Sequence, residues 1–327
     1  MDFRNRKLGV VPSPPDYRDY RLTEFVDTAK VFPDYYLVPP FENESDIPIY
    51  DQGETSMCVA FTGALITEQQ EYDETGKFVQ MSPCWIYGNR DYSMYMGEGM
   101  VPREAWAKLC EDGVPHFDSL DYMGTFSRCY TEVMLSMDRL KKEALNQKKK
   151  SYAAVMLKNA DEIRTAIMSC GAINISLAIY KEFYEVGKDG FIEKATGSIY
   201  GYHSVTCVGF FKKNNKIYLI IANSWGGDWG NNGICYIPHD YKAIQEIWAI
   251  TDLQRRVVEA NIPAQLIPPG HFVLPFRGLF EAQNAEEINW GRTESGKVWG
   301  EAILPAARRR RIYILEDSRD IEVETLE

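Results

Sequence analysis

Cys58, in the stretch DQGETSMCVAF at residues 51–61, stands where an apolar run begins, with Ser56 two residues earlier as a natural helix N-cap. A thiol in the first turn of a helix lies in the positive field of the aligned peptide dipoles, which favours the thiolate, the nucleophilic form. Such a nucleophile needs a base. Of the four histidines, His116, His239 and His271 lie in Pro-flanked loops or the Pro-rich tail and read as surface or structural residues. His203 opens the apolar run HSVTCVGFF, where a polar residue is costly unless it is paired. The run is followed by KKNN at 212–215 and then KIYLIIANSW, a hairpin whose centre falls near Lys213 and which sets residue 203 opposite Asn223. An amide there can fix the orientation and tautomer of the imidazole, as the third member of a nucleophilic triad does. Attack on an acyl carbon creates an oxyanion, and Gln52 can donate to it beside the Cys58 backbone N–H. The chemistry these types support is acyl transfer through a thioester.

Several elements must position these residues. From Ser56, Val59, Ala60, Ala64 and Leu65 recur near one face at helical spacing and Gly76 ends the segment, which predicts a helix carrying Cys58 in its first turn. MSPCWIYGNRDYS, PREAWAKLCEDG and a stretch around 131–147 continue the helical half, with the glycine-bearing loop MGEGM (Gly97, Gly99) between the first two. SYAAVML, GAINISLAIY, GYHSVTCVGFF and KIYLIIANSW then read as strands, interrupted by the helix ADEIRTAIMSCG. A helical half followed by an antiparallel β half is an α+β layout with a cleft expected between the halves. Residues 1–45 are rich in Pro, Asp and Tyr and read as an extended arm, 46–252 as the catalytic domain, and 253–327 as a β-containing extension.

Composition narrows the function classes. The 327 residues are 45% hydrophobic and 25% charged, enough for a packed core, and the net charge of −11 disfavours nucleic acid as a partner. The run RRRR at 308–311 is followed by EDSRDIEVETLE, which offsets it. The N-terminus has no secretory apolar core and no stretch is long enough to span a bilayer, so a cytoplasmic protein without membrane contact is expected. Seven cysteines with no CxxC spacing indicate neither a zinc site nor a dense disulfide framework, and neither metal nor organic cofactor is expected.

The chain resembles the papain-like C1 cysteine peptidases through DQGETSMCVAF, YGYHSVTCVGF and IANSWGGDWGNNGICYIP, from about Pro48 to Asp252. The resemblance implies a two-subdomain α+β fold and peptide-bond hydrolysis, with Gln52 in the oxyanion hole, Cys58 as nucleophile, His203 as acid/base and Asn223 orienting it. It also implies that Trp225 shields the His/Asn pair and that Gly97 and Gly99 line the backbone-pairing loop. Ser176 is then placed near the S2 pocket and Tyr202 at its mouth, a moderately apolar pocket with a hydroxyl. Thr55-Ser56-Met57-Cys58-Val59 replaces the family's usual Cys-Gly-Ser-Cys-Trp, so a nearby disulfide partner is missing, and YIPHDY is more like the bacterial and viral-type branch. The family's usual long helical propeptide is not expected ahead of the domain. The arm is therefore expected either to pack on the domain as part of the mature enzyme, the favoured reading, or to cross the cleft and be clipped. Two alternatives share the same residues: a catalytically silent binding module, and a thiol amidase or transamidase acting on another amide. A peptide or protein substrate is the expected partner, and the C-terminal extension is expected to dock intramolecularly or onto a protein.

Overall fold

The computed structural model describes residues 3–16, 19–91 and 97–253, with the backbone of strands at 287–292, 298–304 and 309–315. The helix α1 (Cys58–Thr75), which begins at the candidate nucleophile, is buried along Cys58–Gln70 without a polar face, which makes it the central helix of its half rather than a surface helix with one apolar stripe. It stops at Gly76, whose φ of 66° is the left-handed cap that glycine adopts without a Cβ penalty. Its N-cap is Met57, with no side-chain capping bond, so the expectation of a Ser56 cap is corrected; Ser56 is buried one residue further out. On α1 pack α2 (Pro83–Gly88) and α3 (Pro102–Glu111), and α4 (Phe126–Ala144) packs on α2. The last of these starts five residues earlier than its sequence pattern indicates.

The second half is an antiparallel sheet. Strands β2 (Ser151–Ala154), β3 (Ile173–Ile179), β4 (Gly201–Lys213), β5 (Lys216–Ala222), β6 (Ile234–Pro238) and β7 (Ile244–Thr251) run in the order β2-β7-β3-β4-β5-β6. Helices α5 (Ala160–Cys170) and α6 (Lys181–Tyr184) flank β3 in sequence. β4 outruns its partner β3, and the free edge of its distal half is filled by β1 (Tyr35–Leu37) from the N-terminal arm, Tyr36 opposite Phe210. The β4–β5 hairpin turns at Asn214–Asn215, both at positive φ, so its centre falls between these two residues rather than at Lys213. A bulge between Cys207 and Gly209 then shifts the register, so the ladder ends with Thr206 opposite Ala222.

Loop, helix and helix start are tied together behind the cleft by Glu68 of α1, which accepts from Tyr50 Oη at 2.7 Å and from Met81 N at 2.8 Å. Glu68 is fully enclosed, and burial pushes its carboxyl up from 4.5 to about 7. A raised carboxyl means the proton is bound more tightly in the folded state. Its stabilisation is therefore complete below the unfolded value near 4.5 and is lost as pH rises through about 7. The predicted cost at pH 8 is on the order of 3 kcal/mol relative to pH 5. Denaturant unfolding of wild type and Glu68→Gln at the two pH values checks this, with the amide expected to remove that slope.

The second compact unit, residues 255–327, contains a three-stranded antiparallel sheet of β8 (Glu287–Arg292), β9 (Val298–Leu304) and β10 (Arg309–Leu315) in the order β10-β9-β8. The prolines at 263–275 and His271 lie outside the described residues.

Candidate active site

Cys58 is the first residue of α1, and the thiol is fully buried. Backbone N–H groups of Cys58, Val59, Ser204 and Gly9 point to its sulfur and favour the thiolate, yet desolvation outweighs them and pushes the thiol up to about 11. Ser204 is the neighbour of His203, so the same strand brings the imidazole to the nucleophile. His203 Nε2 pairs with Asn223 Oδ1 at 2.8 Å, leaving Nδ1 without a partner in a fully buried ring. Burial pushes His203 down to about 4, against the smaller opposing effect of the Asn223 bond. The two groups are thus neutral together, opposite to the ionised pair that a helix start and an imidazole predict. The cause is the exclusion of water.

The His203–Asn223 pair forms although their strand register differs from the expected one. The ladder that closes with Thr206 opposite Ala222 leads Asn223 towards Val205, two residues from His203 and hence on the same face of β4. Trp225 packs on the pair, 4.9 Å from the His203 ring between centroids, and Phe183, Tyr184 and Trp229 surround the indole. Trp229 Nε1 donates to Phe183 O at 2.9 Å, which holds that aromatic cluster to the short helix α6.

Gln52 is fully buried and fixed at both ends of its amide. Oε1 accepts from Ser224 Oγ at 2.7 Å, so Nε2 must point the other way, where it donates to Thr55 O at 2.6 Å and Lys7 O at 3.2 Å. Its second N–H therefore serves the Lys7 carbonyl.

That carbonyl belongs to the N-terminal arm, which crosses the cleft. Met100 N donates to Gly9 O at 2.8 Å and Val11 N to Met100 O at 2.9 Å, a parallel bridge on the helical side. Val10 N donates to Tyr202 O at 3.1 Å on the sheet side. A Cβ on Gly9 would overlap the Ser56 carbonyl and lie 3.1 Å from Cys58 Sγ, so only glycine lets the chain come this close. The arm packs on the sheet at Tyr35–Leu37 and also crosses the cleft at residues 3–11.

The loop glycines divide the work. Gly99, at φ +98°, faces the Gly9 carbonyl, which a side chain there would overlap, and its N–H donates to Tyr87 Oη at 2.8 Å. Gly97 instead turns its carbonyl to Arg90, and Met100 supplies the backbone pairing. Ser176 lies in β3 between Ser204 and Glu246, buried with its hydroxyl unpartnered. Tyr202 is half-buried and meets the arm through its carbonyl. The sequence pattern did not single out Glu246, whose carboxylate is held by Trp248 Nε1 at 2.8 Å close to Ser13 of the arm. Nor did it single out Asp51, although Asp51 directly precedes Gln52 in the quoted motif.

The model of the papain family cysteine proteases matches residues 42–249. Cathepsin B-like cysteine proteinase 2 of Haemonchus contortus is 28% identical over 153 residues, 46% of this chain and 36% of that protein. Mouse cathepsin K is 24% identical over 194 residues, 59% of this chain and 56% of that protein. The chain thus spans about a third to just over half the length of these curated relatives. Xylellain, a cysteine protease from Xylella fastidiosa, superposes with a TM-score of 0.61 at 20% identity, over 76% of this chain and 97% of that one, a likeness of fold. With the family model covering most of the chain, and an α+β architecture in which helix, sheet and cleft follow that pattern, this protein belongs to the papain family of cysteine proteases.

Proposed function

We propose that the protein is a cysteine endopeptidase held latent by its own arm. The observation that carries this reading is the double role of Gln52 Nε2, fixed by Ser224 and Thr55 yet spending its remaining N–H on the Lys7 carbonyl. An oxyanion formed on Cys58 needs a donor at that place. With the arm displaced, Cys58 attacks the acyl carbon, Gln52 and the Cys58 N–H stabilise the oxyanion, and His203 gives its proton to the leaving amine. Water, deprotonated by His203, then cleaves the thioester. Asn223 holds the imidazole through Nε2, so that Nδ1 remains the atom that exchanges protons with sulfur.

The arm itself is a poor substrate as seated. It presents the Gly9 N–H to the sulfur rather than a carbonyl carbon, so the thiol has nothing to attack. Its binding also dries the site, which keeps thiol and imidazole neutral. A cytoplasmic setting is part of the proposal, because seven cysteines without a disulfide among the described residues fit a reducing compartment.

The test is digestion of a mixed peptide library with mapping of the new termini. Cleavage by wild type after arm displacement is expected, with Gln52→Ala slower by roughly 10²–10³-fold in kcat, the usual cost of one oxyanion donor. A library left intact by a chain whose Cys58 alkylates freely would overturn the peptidase reading in favour of a silent module.

A further inference from the structure

The arm is charged where it leaves the nucleophile on the Trp225 side. Phe3 stacks on Trp225 with centroids 6.3 Å apart, and Arg6 forms a two-point ion pair with Asp51, Nη2 to Oδ2 at 2.9 Å and Nη1 to Oδ1. A second pair, Arg4 with Glu185, is exposed on both sides and contributes little. The Arg6 side chain differs in being only 18% exposed. With Asp51, Trp225, Gly226, Gly227 and Asp228 it lines an open recess of about 340 Å³, its guanidinium held against the Asp51 wall.

The recess is built by the backbone. Asp51 bridges to Trp225, Gly226 N donates to Tyr50 O at 2.9 Å, and Asp51 Oδ1 also accepts from Gly53 N at 2.8 Å. Gly226, at φ +79°, carries no side chain; a Cβ there would stand 3.2 Å from Asp51 Oδ2 and narrow the entry. Nearby Lys188 is tied to the Asp228 main-chain oxygen at 2.8 Å. A planar guanidinium matches such a fixed carboxylate through two parallel N–H bonds, which an ammonium cannot do.

We propose that this recess is a subsite for an arginine on the leaving-group side of the scissile bond, and that Arg6 is its intramolecular stand-in. The assignment to the leaving side follows from position. Met100 and Tyr202 pair with residues 9–11 on one side of Cys58, whereas Phe3 and Arg6 lie on the other, over the indole that covers His203, the donor to the leaving amine. The proposal rests on the peptidase reading and names the substrate class of that site: peptides with arginine just beyond the cleaved bond.

The experiment uses the full chain carrying Arg6→Ala and Gly9→Val, so that the recess is vacated, with and without Asp51→Asn, which retains the oxygen that accepts from Gly53. Binding of Nα-acetyl-arginine amide is followed through the Trp225 indole N–H resonance, with the citrulline analogue as an uncharged control of the same shape. Saturable binding is expected for the arginine compound, at least tenfold weaker in the Asp51→Asn chain and for citrulline. Peptides differing only in arginine or citrulline on the leaving side should show a ratio of about ten in kcat/KM, falling towards one with Asp51→Asn. Equal binding of both compounds, or an arginine preference that survives Asp51→Asn, overturns the subsite while peptide cleavage stands. Charge-dependent binding without cleavage of any peptide instead sinks the peptidase reading and keeps the recess.

Discussion

Replacing Cys58 by alanine is expected to remove peptide hydrolysis, a loss on the order of 10⁵–10⁶-fold, because no other group beside Gln52 and His203 can form the acyl-enzyme. The substitution deletes one sulfur from a buried position, so the fold and the seating of the arm should persist. Cleavage assays on wild type and variant in parallel, with thermal unfolding of each, separate lost chemistry from lost structure. Wild-type turnover by the alanine chain would refute the thioester mechanism.

The second large effect concerns Gly9. Valine there must collide with the Ser56 carbonyl, so the arm can no longer seat over the nucleophile. With the arm in place the thiol stands at about 11, which leaves a thiolate fraction of roughly 10⁻⁴ at pH 7. Wild-type labelling of Cys58 by iodoacetamide should therefore be very slow at neutral pH and rise as pH climbs through 11. In the Gly9→Val chain, water re-enters, His203 can hold the proton as an imidazolium, and the four converging N–H groups lose only one member. Labelling should then be at least about 100-fold faster at pH 7 and persist at pH 5.5, as read by mass spectrometry of the Cys58 peptide. Equal rates in the two chains would show that the arm does not control the site.

These predictions also mark what sequence could and could not carry. Cys58, His203, Asn223 and Gln52 could be singled out as candidates because each sits in a short run whose type and spacing restrict what it can do. The His203–Asn223 meeting tolerates the register difference because strand faces repeat every two residues: the later turn displaces the partner by three and the bulge after Cys207 takes one back, a net step of two. The helix start was misread at Ser56 because propensity cannot see that the hydroxyl is buried without a capping bond. The ionisation of the pair was misread for a deeper reason. Dipole and neighbouring charge are local and visible, whereas desolvation depends on everything that packs over the site once the chain is folded. Extended chain such as FRNRKLGVV has no periodicity that declares its partner or its direction. The same blindness hid Asp51, whose proposed role appears only when the arm shows where a peptide runs.

The strand at Tyr35–Leu37 gives the arm a property that a separate inhibitor lacks. Its pairing with Phe211–Gly209, and the ion pair of Asp19 with Arg103 at 2.8 Å nearer the cleft, moor the chain on both sides of the exposed Val31. A plug moored this way returns to its seat at an effective concentration in the millimolar range, whatever the amount of protein in solution. If the arm holds the proposed activity latent, dilution is expected not to release it, and a free peptide of the same sequence must reach comparable concentrations before it competes. Opening becomes a first-order event whose rate belongs to the single molecule.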